Sequence, residues 1–328
     1  MQAMRLVKKS VLFLLLNGVI LGAVLALVSG AHRDLHLDNA ETESNLLVMG
    51  GGRSPAHYGL ALLGTSRGRV FSRDDNHRMV EDILERKVIN LSKGGGGGLM
   101  PAELHLSYFY HLGNRVDHVV YLVDPWVFFS PINNEENDFF LRDEPFELYI
   151  LWKLITGGYP SDRISSYLQM ITVRDWRTIS TYAAPGLTDG TLAAIDGQKL
   201  REARAHYLSK YAKDGFEKYS RFVDRINTKV KQQGGRLTYI MLPMLIPDFP
   251  GLGQVNQLLR QAARLNEHVT YFDGSDLMHD RRFFYDHMHF NKAGIAYFTR
   301  HVLGPLLQGK TPFKTDGSPS PDSGPGFF

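Results

Sequence analysis

A chain of 328 residues with 43% hydrophobic side chains is long enough to build one sizeable core, which excludes a disordered or fibrous protein. Its 37 lysines and arginines against 34 acidic residues leave a net charge of +3, too small a surplus to point to a nucleic-acid partner. There is no cysteine, so disulfides, thiolate metal sites and a cysteine nucleophile are excluded.

Arg5, Lys8 and Lys9 precede an apolar run from Val11 to Val28, interrupted only by small residues and Asn17, and long enough to cross a bilayer as a helix. Only Arg33 follows soon after. This charge asymmetry predicts a cytoplasmic N-terminus, with everything after about residue 30 exported. Residues 1–31 are therefore expected to form an inner-membrane, single-pass anchor. The rival reading is a cleaved signal peptide, because Ser29 and Ala31 are small residues at the spacing a signal peptidase needs.

Residues 32–45 are polar and read as a spacer. From Leu46, apolar β-type runs alternate with helical patterns, the signature of βαβ units and a mostly parallel sheet covered on both faces. Strands are predicted at Leu60–Leu63, Lys87–Leu91, Val116–Val123, Arg236–Leu242 and Val269–Phe272. Helices are predicted at Val70–Glu85, Pro101–Leu112, through Leu258 and Leu259, and from Ala293 to about Leu307. Between about 130 and 235 the rhythm changes to aromatic-rich helices such as Phe146–Ile155 and Phe216–Val230, read as a helical insertion or cap. The domain is thus expected over 46–307, with 308–328 a disordered tail rich in Gly, Pro and Ser.

Two segments carry chemistry. Ser66 lies where the first strand turns into a helix, between Gly64 and Gly68. Glycine permits the tight turn, and the helix start offers free backbone N–H groups to an oxyanion. Alone, such a turn could equally bind phosphate. Far along the chain, Tyr285-Asp286-His287-Met288-His289 precedes the last helix. A carboxylate three residues before an imidazole lets Asp286 accept a proton from one ring nitrogen of His289, leaving the other to activate a serine. A metal site built from His279, Asp286, His287 and His289 is the weaker reading, because no H-E-x-x-H or second ligand cluster accompanies it. The five glycines 94–98 suit close approach of an acyl oxygen to backbone amides, or a hinge. Arg67 and Lys93 flank the expected site and are candidates for an anionic substrate group, with surface solvation as the plainer role.

Taken in order, these motifs resemble the SGNH (GDSL-like) hydrolase superfamily, over about residues 46–307. The resemblance implies a three-layer flavodoxin-like fold and a catalytic set of Ser66 as nucleophile, His289 as base and Asp286 as orienting acid. It implies an oxyanion hole from the Ser66 amide and a glycine of the run, Gly94 or Gly95. Two positions depart from it. Thr65 replaces the usual Asp, and Asp124-Pro125-Trp126 replaces the Gly-x-Asn-Asp motif, leaving the family's asparagine donor without a match. Asn133, Asn134 or further glycine amides are the alternatives for it. The Asp124-Pro125-Trp126 segment and the anchor look similar to the divergent branch that holds alginate O-acetylation and lipoteichoic-acid D-alanylation proteins. That likeness implies an extracytoplasmic, periplasmic serine acyltransferase or esterase acting on a cell-envelope or secreted polysaccharide. Its partners would be an acyl donor, a carbohydrate or polymer acceptor and a membrane-bound O-acyltransferase, with Asp124 and Trp126 as further substrate contacts and no cofactor or metal. A catalytically silent scaffold in an envelope-polymer assembly is the alternative from another class.

Overall fold

The computed structural model describes residues 2–36, 45–50, 55–137, 141, 144, 146–173, 186–310 and 312. Most of the expected spacer and nearly all of the expected tail lie outside them. Helix α1 (Gln2–His36) contains one stretch, Met4–Leu27, long and apolar enough to cross a membrane, with mean hydropathy 2.5. Its large side chains from Leu12 to Leu21 stand mostly uncovered by protein.

The folded part begins with the short helix α2 (Asn45–Gly50), which buries Leu46 and Met49. Its first amides, of Asn45 and Leu46, donate to the buried Glu144 carboxylate at 2.9 and 2.7 Å, satisfying N–H groups that a helix start leaves without partners.

Strand β1 (His57–Gly64) follows, then one helical turn α3 (Ser66–Arg69). A helix was predicted to run unbroken from Val70 to Glu85, but it splits into a 3₁₀ turn (Val70–Ser72) and α4 (Asn76–Leu84). Asp74 causes the break: it takes a positive φ of 51°, and its carboxylate accepts from the Gly186 and Thr188 amides and the Thr188 hydroxyl. Then come β2 (Val88–Asn90), α5 (Leu99–His111) and β3 (Arg115–Val123). Among the described residues, the α-helices that follow are α6 (Leu148–Thr156), α7 (Ser161–Val173), α8 (Gly197–Leu208) and α9 (Gly215–Gln232). The chain returns to the sheet through β4 (Arg236–Met241), α10 (Leu252–Leu265) and β5 (Val269–Asp273). It closes with α11 (Lys292–Phe298), a wider π turn and α12 (Gly304–Leu307).

All five strands are parallel, in the order β2-β1-β3-β4-β5. That is the doubly wound order in which ligands bind outside the carboxyl ends of β1 and β3, where the connections diverge to opposite sides. The central strands are buried on both faces, as their unbroken apolar runs require: Leu60 to Leu63 and Val119 to Val123 are fully covered. α4 packs with α11, while α5, α9 and α10 pack in succession, forming the two outer layers. α9 lies against β4 and α5 through Tyr219, Phe222, Val223 and Ile226, and Tyr239 of β4 donates to Asn227 at 2.8 Å. It is therefore the crossover helix between β3 and β4, and the additional helical segment ends before it.

Candidate active site

β1 delivers the chain to the carboxyl edge of the sheet at Gly64, whose φ of +152° and neighbours leave no room for a side chain. A Cβ there would stand 2.9 Å from the Leu122 carbonyl of β3. Thr65 caps α3, its hydroxyl oxygen accepting from the Arg67 amide at 3.3 Å, so Ser66 occupies the first helical position.

The partner loop lies between β5 and α11. Phe284 and Phe290 bridge antiparallel, the Tyr285 amide donates to the His289 carbonyl at 3.1 Å, and the loop thereby closes on itself. Asp286 Oδ1 accepts from the amides of Met288 and His289 at 2.8 and 2.7 Å, leaving Oδ2 directed at His289 Nδ1, 2.8 Å away. Asn291 then caps α11 by accepting from the Gly294 amide at 2.9 Å. The far ring nitrogen, Nε2, stands 2.8 Å from Ser66 Oγ. With the Nδ1 proton donated to the carboxylate, Nε2 is an acceptor for the serine hydroxyl. Burial pushes the Asp286 carboxyl up, but the His289 ring and the two amides outweigh it and hold the group below the usual carboxylate range. Tyr285 stacks on the His289 ring, with centroids 5.4 Å apart and planes within 7°, which fixes its tilt.

The structure thus brings Ser66, His289 and Asp286 into one hydrogen-bonded line. In the glycine run, Gly94 and Gly95 form the outer turn, with Gly95 exposed, while Gly97 packs directly on the Ser66 turn. A Cβ on Gly97 would meet the Lys93 carbonyl at 2.4 Å, the Gly64 carbonyl at 2.5 Å and Thr65 Cα at 2.8 Å. No sequence signal distinguishes one glycine of five; only the fold brings the fourth against Thr65.

The four residues read as substrate contacts lie inside the protein instead. Lys93 is 2% exposed, its Nζ 3.4 Å from Glu144 Oε1. Asp124 is fully buried; Thr65 donates its hydroxyl to one carboxylate oxygen and Arg67 donates to the other at 2.7 Å. Burial pushes the Asp124 carboxyl up, against the pull of Arg67 and Thr65. Trp126 is stacked under Tyr207 of α8, with centroids 4.5 Å apart. Burial pushes the Tyr207 phenol up to about 12, with the Asp124 and Asp286 carboxylates adding to the rise against the pull of Arg67; the stack on Trp126, whose ring centroid lies 5.8 Å from the Arg67 guanidinium carbon, places this ring of the helical segment beside the site. The sequence reading missed Tyr207, because nothing in the polar pattern of α8 ties it to residue 126.

Asn134, one alternative for the missing donor, uses its amide within the protein: Nδ2 donates to the Val127 and Ser130 carbonyls at 2.7 and 2.9 Å, and Oδ1 accepts from the Met100 amide at 3.1 Å. Asn133 contributes its carbonyl to the Gly98 amide at 2.9 Å. Of the residues in the metal alternative, His279 faces Asp276 at 3.3 Å, and His287 Nε2 accepts from the Asp196 amide at 3.3 Å. A comparison of the chain with protein-family models and with curated proteins finds no match.

Proposed function

We propose that this protein is an SGNH-type acyl-serine enzyme that moves or removes an acyl group, acetyl being the simplest candidate, on a cell-envelope or secreted polysaccharide outside the cytoplasm. The observation that carries this reading is the line Ser66 Oγ, His289 and Asp286, with 2.8 Å at each link. Serine is a poor nucleophile without such a base, and a base is useful only if a third group fixes its tautomer.

In this mechanism His289 Nε2 takes the hydroxyl proton as Ser66 Oγ bonds to the acyl carbon. The carbonyl π pair moves onto oxygen, where the Ser66 amide and an amide of the glycine run receive it. Collapse expels the donor's leaving group, which takes the proton back from His289. A sugar hydroxyl or water then repeats the sequence in reverse, its proton passing to His289 and its oxygen displacing Ser66. The acyl-enzyme is common to transferase and esterase; what the site admits as acceptor decides between them. The apolar α1 supports placing the site at a membrane surface, and a membrane-bound O-acyltransferase is the partner such an arrangement would serve.

A silent scaffold is the second reading, favoured by one observation: Asp124-Pro125-Trp126 stands in place of the family's Gly-x-Asn-Asp motif and supplies no donor, with Asp124 committed to Thr65 and Arg67 and Trp126 stacked under Tyr207. Treating the protein with an activated acetyl ester and a serine-directed phosphonate, and reading intact mass for wild type and Ser66→Ala, separates the two. The acyl-serine reading expects one adduct that the substitution abolishes. An unlabelled, well-folded wild type supports the scaffold.

A further inference from the structure

The acid–base loop and the nucleophile turn share a second connection besides the Ser66–His289 hydrogen bond. Arg67, next to the serine, is 2% exposed, and all three of its guanidinium nitrogens are engaged. Nε donates to the Met288 carbonyl at 2.9 Å, Nη1 to Asp124 Oδ1 at 2.7 Å and Nη2 to the Pro243 carbonyl. Met288 precedes the base, Asp124 follows β3, and Pro243 follows β4. One planar fork therefore joins four chain segments at the carboxyl edge of the sheet. Thr65, on the other side of the serine, donates to the second Asp124 oxygen. Both neighbours of Ser66 are anchored on one carboxylate.

A purely stabilising role explains this poorly. Buried ion pairs contribute little net stability compared with apolar replacements of similar volume. What a guanidinium offers, and an ammonium does not, is several donors in fixed relative directions. Proton transfer depends on just such direction, since a misplacement of about 1 Å can cost about 100-fold in rate. Ser66 and His289 sit on segments that share no strand, so the distance between them depends on whatever joins those segments.

We propose that Arg67, held by Asp124, is a positioning residue that sets the His289 ring against the Ser66 hydroxyl. The inference rests on the acyl-serine reading for the meaning of that contact, but the contact itself is measurable without turnover. It also gives the Asp124-Pro125-Trp126 departure a role: the carboxylate exists to orient the clasp.

The test uses the full chain in detergent, comparing wild type, Arg67→Lys and the paired variant Arg67→Met with Asp124→Leu. Thermal melting reports folding, the phosphonate labelling rate reports the nucleophile, and the ¹⁵N shifts of the His289 ring report its hydrogen bonds, with His289→Gln for assignment. The clasp predicts a paired variant that melts cooperatively, labels at least about 100-fold more slowly and shows altered His289 Nε2 and Nδ1 shifts, with Arg67→Lys intermediate. Labelling within twofold of wild type and unmoved ring shifts would overturn it. If wild type does not label, the acyl-serine reading fails, and the ring shifts alone decide the positioning role. Should the paired variant fail to fold, Arg67→Lys decides, because it keeps the charge and removes the fork.

Discussion

Ser66 and His289 lie 223 positions apart in the chain, and their side chains meet at 2.8 Å. Each is delivered by a local device: Ser66 by the Thr65 cap after β1, His289 by the two amide bonds that Asp286 Oδ1 accepts.

Asp286→Asn tests the electrostatic half of this arrangement. The amide fits the same space but presents its donors where the carboxylate accepted, favouring the wrong imidazole tautomer. Labelling of Ser66 should fall by about 10⁴-fold with melting temperature nearly unchanged. Wild-type labelling in this variant would remove Asp286 from the mechanism.

Gly97→Ala and Gly95→Ala form a matched pair. The first drives a methyl into backbone carbonyls at 2.4 and 2.5 Å and into Thr65, so the Ser66 turn must shift; the second sits exposed at φ +73°, where a side chain strains its own backbone. Expected is a labelling rate lowered at least about 100-fold for Gly97→Ala, against a stability cost of about 1 kcal/mol and little loss of rate for Gly95→Ala. Equal rates in a kinetic comparison would show that the run acts only as a connector.

Asn134→Ala should damage the fold and leave the chemistry intact. It strips partners from the Val127 and Ser130 carbonyls and the Met100 amide, all beside a fully buried side chain. A loss of about 2–4 kcal/mol is expected in denaturant unfolding, with the labelling rate of the folded fraction preserved. A selective rate loss without destabilisation would instead make Asn134 a catalytic donor.

Acidification below neutrality should destabilise the domain through two buried histidines. Burial, with Lys93 adding to it, lowers the His105 pKa to about 3, and burial, with Arg236 and Arg86 adding to it, lowers that of His118 to about 4; both start from 6.5. Because the folded values lie below the unfolded one, the stabilisation is complete above pH 6.5 and declines as pH falls toward 4 and 3. The slope is about 1.4 kcal/mol per pH unit for each histidine. Melting curves at pH 7.5, 6 and 5 should show a falling midpoint, and His118→Asn should flatten it. A constant midpoint across that range would refute the assignment.

The absence of cysteine makes topology easy to probe. A single Glu267→Cys, on the exposed surface after α10, should react with a membrane-impermeant maleimide in intact cells if the domain is exported. Reaction only after lysis would put the domain on the cytoplasmic side and end the periplasmic reading.

Much of this architecture was legible in particular residues. Unbroken runs such as Val119 to Val123 announce strands covered on both faces, and the Phe216, Tyr219, Val223, Ile226 and Val230 spacing announces α9. Its assignment to the additional segment failed because helical periodicity reports which face is buried and not what buries it. The same limit applies to Val70–Glu85, where the break depends on Thr188, more than a hundred residues away.

By itself the sequence determined the alternation of strands and helices, the apolar N-terminal helix, the serine turn and the Asp-x-x-His loop, since each is written in residues close together along the chain. Only the tertiary structure decided which glycine of five lies against the Ser66 turn, and that Arg67, Lys93 and Asp124 are buried in ion pairs. The physical reason is common to both: a charge reads as solvent-facing in sequence, and a glycine as free, until long-range packing supplies the partner that buries one and the backbone that crowds the other.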